Sequence, residues 1–192
     1  YEEAVSQPSV SSTSVNMGSA VTIYTNRVST ATTHTLLYTF GNTSGTIATG
    51  VGASVSWTPA LTLAAQIPSA TSGTCTITCQ SYNGGVLTGT RTYTLTLNVP
   101  STIVPSISSV TVEDTNSTVA TRIQAYVKTL STLSVDITAT GSYGSTVTSY
   151  RTSLDGVTYT AASFTASKKL SASGDMTLTV TVTDSRGRTA TY

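Results

Sequence analysis

Apolar residues recur at every second position in run after run of this chain, with threonine filling the places between. Met176-Thr-Leu-Thr-Val-Thr-Val-Thr183 has one apolar face and one face made only of threonine, and Tyr93-Thr-Leu-Thr-Leu-Asn-Val99 repeats the arrangement. Successive side chains of an extended strand point to opposite faces, so a period of two describes a strand with one buried face. Threonine suits the exposed face because its β-branch costs little in extended backbone and packs well on a pleated surface. A chain written this way is expected to be all-β.

Shorter runs obey the same rule. Val21-Thr-Ile-Tyr24 alternates, His34-Thr-Leu-Leu-Tyr-Thr-Phe40 places His34, Leu36, Tyr38 and Phe40 on one face, and Ala53-Ser-Val-Ser-Trp57 groups Ala53, Val55 and Trp57. Turn signals separate them at Gly41-Asn42, Thr43-Ser-Gly45, Ser72-Gly73 and Asn83-Gly84-Gly85. The last is a strong hairpin signal, since Asn and Gly accept the positive φ of a primed turn. The segment Pro59–Pro68 is the one place with helical potential, and it reads as a crossover between sheets. Pro100-Ser-Thr-Ile-Val-Pro105 then interrupts the pattern. Proline fixes φ and blocks strand pairing, so this segment is expected to be a stiff linker. Beyond it Pro105-Ser-Ile-Ser-Ser109 echoes Pro8-Ser-Val-Ser-Ser12, and strands are expected at 122–128, 133–137, 150–159 around an Asp155-Gly156 turn, and 176–183, with a last turn at Asp184-Ser-Arg-Gly187.

Many short strands with Gly and Asn turns, in two blocks of about one sandwich length, predict two tandem immunoglobulin- or fibronectin-like β-sandwich domains. Their expected bounds are 1–99 and 106–192, with 100–105 between. Strand order is left open. The chain of 192 residues opens Tyr1-Glu2-Glu3 without Met and closes on strand-like residues, so it is expected to be a fragment of a longer polypeptide.

Only 9% of residues are charged and the net charge is +1. No basic field exists to neutralise a phosphate backbone, which argues against nucleic acid as a partner. No run approaches the roughly 18 apolar residues of a membrane-spanning helix. The positive mean hydropathy of +0.11 argues against disorder.

Chemistry-bearing residues are sparse. His34 is the single histidine, and on an apolar strand face it reads as a structural, hydrogen-bonded residue. Cys75 and Cys79 lie on one strand face roughly 13 Å apart at ~3.3 Å per residue. A disulfide needs Cα atoms within about 7 Å, so the two are expected to be free and buried beside Ile77. No Gly-x-Ser-x-Gly elbow is present. Asp155 and Asp184 fall in turns, Asp136 falls on a polar strand face, and Glu113 and Asp114 lack the acidic loop of a calcium site. No enzyme activity, cofactor or metal is expected. Trp57 reads as core. Binding candidates are Tyr82, Tyr143 and Tyr150 near predicted turns, because tyrosine offers large contact area at low entropy cost. Arg186 and Arg188 flank Gly187, either as a solvated hairpin tip or as contacts to a partner's carboxylates.

Thr35-Leu-Leu-Tyr-Thr-Phe-Gly41, Gly45-Thr-Ile-Ala-Thr-Gly50, Ser56-Trp-Thr-Pro59, Gln66-Ile-Pro68 and Ser72-Gly-Thr-Cys-Thr-Ile-Thr-Cys79 resemble a module of minor structural and tail proteins of siphophages and prophages of Gram-positive bacteria. Ser149-Tyr-Arg151, Gly156-Val-Thr-Tyr159, Ser173-Gly174 and Val182-Thr-Asp-Ser-Arg-Gly-Arg-Thr189 are similar to its companion module. The resemblance implies a part of a phage tail tip or fibre in the virion. Its partners would be other tail proteins or a surface receptor, protein or glycan, with no membrane insertion, and copies could be brought together through the parent protein. The alternative it leaves open is an adhesin module on the bacterial surface. It supplies no catalytic residues.

Overall fold

The computed structural model describes residues 5–116, 126–166 and 176–192. The chain divides into two compact units, Tyr1–Thr102 and Ile103–Tyr192. The division falls inside the Pro100–Pro105 segment, where two prolines keep the backbone out of either unit's sheets.

Unit 1 is built from two sheets. Strands β1 (Ser9–Val10), β3 (Val21–Tyr24) and β6 (Ser54–Trp57) form the smaller one in the order β1-β3-β6. Strands β2 (Ser14–Asn16), β4 (Thr32–Phe40), β5 (Thr43–Val51), β7 (Ser72–Asn83) and β8 (Val86–Asn98) form the larger one in the order β2-β8-β7-β4-β5. All pairs are antiparallel except β2 with β8. The inner faces supply the core: Val21 and Ile23 from the small sheet, and Leu36, Phe40, Cys75, Ile77, Cys79, Leu95 and Leu97 from the large one. The alternation holds for Thr32, His34, Leu36 and Phe40 of β4 and for Cys75, Ile77, Cys79 and Ser81 of β7, all buried, whereas Tyr38, expected on the same face of β4, is only half-buried. Both thiols are free and buried. The Pro59–Pro68 segment does cross from one sheet to the other, and it contains a 3-10 helix, Leu61–Gln66, that buries Leu63 and Ala64.

Two expected turns turn out to be strand. Gly41-Asn42 alone makes the β4–β5 hairpin, with Gly41 at φ +57°, so Thr43-Ser44-Gly45 already belongs to β5. Ser72-Gly73 opens β7. Glycine usually weakens a strand, but here each glycine lies beneath an aromatic ring. A Cβ on Gly45 would stand 2.8 Å from the Tyr38 ring, and one on Gly73 3.0 Å from the Phe40 ring. The missing side chains make room for the rings, and the rings cover the exposed backbone.

The single histidine is fully buried and bonded at both nitrogens. Its Nδ1 lies 2.9 Å from Val51 O, which can only accept, so Nδ1 carries the proton. Nε2 is then free to accept from Ser6 Oγ at 2.7 Å, while the Ser6 amide donates to Ser81 Oγ at 3.0 Å. These bonds fasten the leading segment to β4, β5 and β7. Ser6→Ala leaves Nε2 buried without a donor and should cost unit 1 about 1–3 kcal/mol, read as a lower urea midpoint.

Unit 2 repeats the two-layer plan with shorter strands. Strands β9 (Ser106–Asp114), β10 (Leu133–Thr140) and β13 (Ser163–Thr165) form one sheet in the order β13-β10-β9. Strands β11 (Val147–Leu154), β12 (Val157–Tyr159), β14 (Thr179–Asp184) and β15 (Thr189–Thr191) form the other in the order β12-β11-β14-β15. Leu133, Val135 and Ile137 of the first meet Leu154, Val180 and Val182 of the second in one buried cluster. Asp155 and Gly156, at φ +48° and +72°, make the β11–β12 turn. The strand expected at 122–128 lies outside the described residues up to 125, and Tyr126–Lys128 are not strand. Of the strand expected at 176–183, the first three residues are not strand, and β14 begins at Thr179.

Candidate functional site

At one end of unit 1 the β7–β8 hairpin turns through Gly84 and Gly85, both at positive φ, and the β3–β4 loop ends where Thr32 pairs with Asn83. This end exposes Val28 at 87%, Val86 at 68% and Leu87 at 49%. Tyr82 is Leu87's cross-strand partner on the outer face of the sheet, and its hydroxyl donates to Gln80 Oε1 at 3.3 Å. Large aliphatic side chains open to water at one end of a unit are the kind of surface that marks a contact site. Charge is scarce around them. Arg27 and Arg91 are the only charged side chains between residues 5 and 102. Arg27 is committed to its own loop, donating to Thr30 O and Thr32 O at 3.0 and 3.1 Å. Of the expected binding residues only Tyr82 belongs to this end. Val28, Val86 and Leu87 escaped the sequence reading, although two aliphatic residues directly after Asn83-Gly-Gly85 are unusual for a solvated hairpin.

A groove of about 360 Å³ lies on the same sheet, lined by Leu37, Tyr38, Thr39, Ser44, Gly45, Thr46 and Thr78. Its lining carries no charged group. Trp57, expected in the core, is half-buried: β6 is the edge of its sheet, and the indole leans on Tyr38 with ring centroids 5.2 Å apart.

The other expected site residues lie in unit 2 and are not brought into one site. Tyr150 faces inward and packs on the core cluster. Tyr143 is partly exposed in the loop 141–145, at φ +48°. Arg186 is neither a solvated tip nor a free contact for a partner: it is 8% exposed. Its Nη1 donates to Ser142 O at 2.7 Å and its Nη2 to Tyr143 O at 2.8 Å. The turn curls over the loop between β10 and β11, so the guanidinium meets carbonyl oxygens in place of water. Burial lowers the proton affinity of Arg186 below that of an ordinary arginine; the Asp184 carboxylate opposes the shift and Arg188 adds to it. Arg188 Nη1 donates to Ile103 O at 2.9 Å. Asp184 is buried, and its Oδ1 accepts from the amides of Arg186 and Arg188, each at 2.9 Å. Asp114 likewise serves its own loop, accepting from the Asn116 amide and from Ser131 Oγ.

A family model described as "Siphovirus protein of unknown function (DUF859)" matches residues 4–192. The chain belongs to that family. No curated protein matches the sequence. Among solved structures, the siphovirus family member is similar to the fibronectin(III)-like modules of Clostridium thermocellum CbhA. The identity is 12% over 96% of this chain and 89% of that one, with a TM-score of 0.36. It is also similar to the YadV chaperone, with 9% identity over 96% of this chain and 98% of that one, and a TM-score of 0.26. Among the described residues of this family member, no group of three His, Cys, Asp or Glu side chains is placed to hold a metal ion.

Proposed function

We propose that the chain is a non-catalytic structural and binding part of a siphovirus tail or fibre. In this reading two immunoglobulin- or fibronectin-like modules, 1–99 and 106–192, stand in tandem and space or present an element that binds the host surface. The observation that carries it is the match to a siphovirus family over nearly the whole chain. The two-layer β units support it, because a sandwich offers a rigid body with loops at its ends. The polar groups support it too: His34, Asp114, Asp184, Arg186 and Arg188 are spent on holding loops and strands together. The apolar end of unit 1, with Val28, Val86, Leu87 and Tyr82, is the surface offered to the partner. Weak contacts per copy add up when a particle carries many.

The test separates phage particles from cell walls of the induced source bacterium on a gradient and probes both with an antibody to the chain. Signal in the particle band is expected. Signal confined to cell walls would overturn the tail reading and favour a bacterial surface adhesin. For the contact surface, Val86→Ser with Leu87→Ser should weaken retention on host cells about tenfold or more, given the apolar area lost, with the thermal midpoint unchanged. Unchanged retention would remove this end as the contact.

A further inference from the structure

Val99 is 2% exposed and its amide donates to Thr71 O at 2.8 Å, so it is anchored in unit 1. On the other side Pro105 is buried and β9 starts at Ser106. Ser101 and Thr102 between them are exposed. Ile103 and Val104 behave differently from that pair. Arg188 Nη1 donates to Ile103 O at 2.9 Å, and Ser142 Oγ donates to Val104 O at 2.8 Å.

Neither donor hangs free. Arg188 leaves a turn whose amides are fixed on Asp184 Oδ1, and Ser142 belongs to a loop whose carbonyls are gripped by the buried Arg186 guanidinium. Ser145 Oγ binds the same loop from within, accepting from the Ser142 amide at 3.0 Å and donating to its carbonyl at 2.9 Å. A donor held in place before its acceptor arrives loses little freedom when the bond forms.

We propose that the Asp184–Arg188 turn and the loop 141–145 are a latch that makes Ile103–Pro105 an integral part of unit 2. Backbone freedom between the anchored end of unit 1 and unit 2 is then confined to the turn at Pro100–Thr102. Proline at both ends of the segment stiffens the chain, and the latch removes two of the residues that could otherwise turn. The inference stands on these hydrogen bonds and is independent of the tail reading.

Backbone 15N relaxation on the full chain tests it. Ile103 and Val104 should show order parameters near those of β14, about 0.85, while Ser101 and Thr102, in their exposed turn, fall below them. Arg188→Ala should drop Ile103 and Val104 toward the values of Thr102 and leave Val180 and Val182 rigid. Ser142→Ala removes a single hydroxyl, keeps the carbonyl that Arg186 holds, and should loosen Val104. It carries the test if Arg188→Ala loosens the whole of unit 2. The proposal is overturned if Ile103 and Val104 are already as mobile as Thr102 in the unaltered chain, or if Ser142→Ala leaves Val104 as rigid as before.

Discussion

Replacing Asp184 by alanine should cost unit 2 about 1–3 kcal/mol, the range for leaving buried donors without their acceptor. Asp184 is 2% exposed at the end of β14. Its Oδ1 is the acceptor for two amides, those of Arg186 and Arg188, and its carboxylate offsets the burial of the Arg186 guanidinium. Alanine leaves both amides without that acceptor and the buried cation without that counter-charge. Asp184→Asn keeps an acceptor oxygen and drops the charge, so its loss should lie between those of the alanine variant and the unaltered chain. Urea denaturation followed through the amide resonances of Val180 and Val182 reads the result. A loss below about 1 kcal/mol for the alanine variant would show that the turn is held by something else.

Alkali should unfold unit 1 by way of its two thiols. Burial pushes Cys75 and Cys79 up to about 11 from the ordinary 9.0, against smaller opposing contributions from the backbone at Thr39 and the side chain of Ser81. A folded-state value above the unfolded one gives stability that is whole below pH 9 and is lost as pH rises toward 11, because only the unfolded chain can release the proton in that window. Each thiol accounts for roughly 2–3 kcal/mol of that loss. Tyrosines ionise over the same range, so the comparison is with the double variant Cys75→Ala, Cys79→Ala, which retains them. The chain's single tryptophan, Trp57, lies in unit 1 and reports its unfolding by fluorescence. Between pH 8 and 11 the unaltered chain should lose about 4–6 kcal/mol more than the double variant. Parallel losses in the two proteins would mean that the thiols are reached by water before unit 1 opens.

Much of this architecture could be read from residue parity. The inward face of β4, the burial of Cys75, Ile77 and Cys79, and the hairpin at Gly84-Gly85 all follow from period two and glycine chemistry, which are local properties. What could not be read depends on groups distant in sequence. Thr43-Ser-Gly45 and Ser72-Gly73 look like turns until the rings of Tyr38 and Phe40 are placed over them. Arg186 looks solvated beside Gly187, because its acceptors, Ser142 O and Tyr143 O, come from a loop more than forty residues earlier. Trp57 looks like core because alternation does not say that β6 is an edge. The exposed end of unit 1 was missed for a related reason: parity predicts which face is covered within a strand, and says nothing about the residues beyond its last pair.

The one parallel pairing among the described strands of unit 1 bears on how it would respond to a pull. β2 lies near the start of the unit and β8 at its finish, and the two are joined in register over Ser14–Asn16 and Thr96–Asn98. Thr96 N donates to Thr13 O at 2.8 Å, Met17 N to Asn98 O at 2.9 Å, and Asn98 Nδ2 to Ser14 Oγ at 2.8 Å. Tension applied at residue 5 and at the linker would draw these two strands past one another along their length. Every bond of the set then shares the load and must fail together, whereas an antiparallel hairpin pulled from its open end surrenders its bonds one at a time.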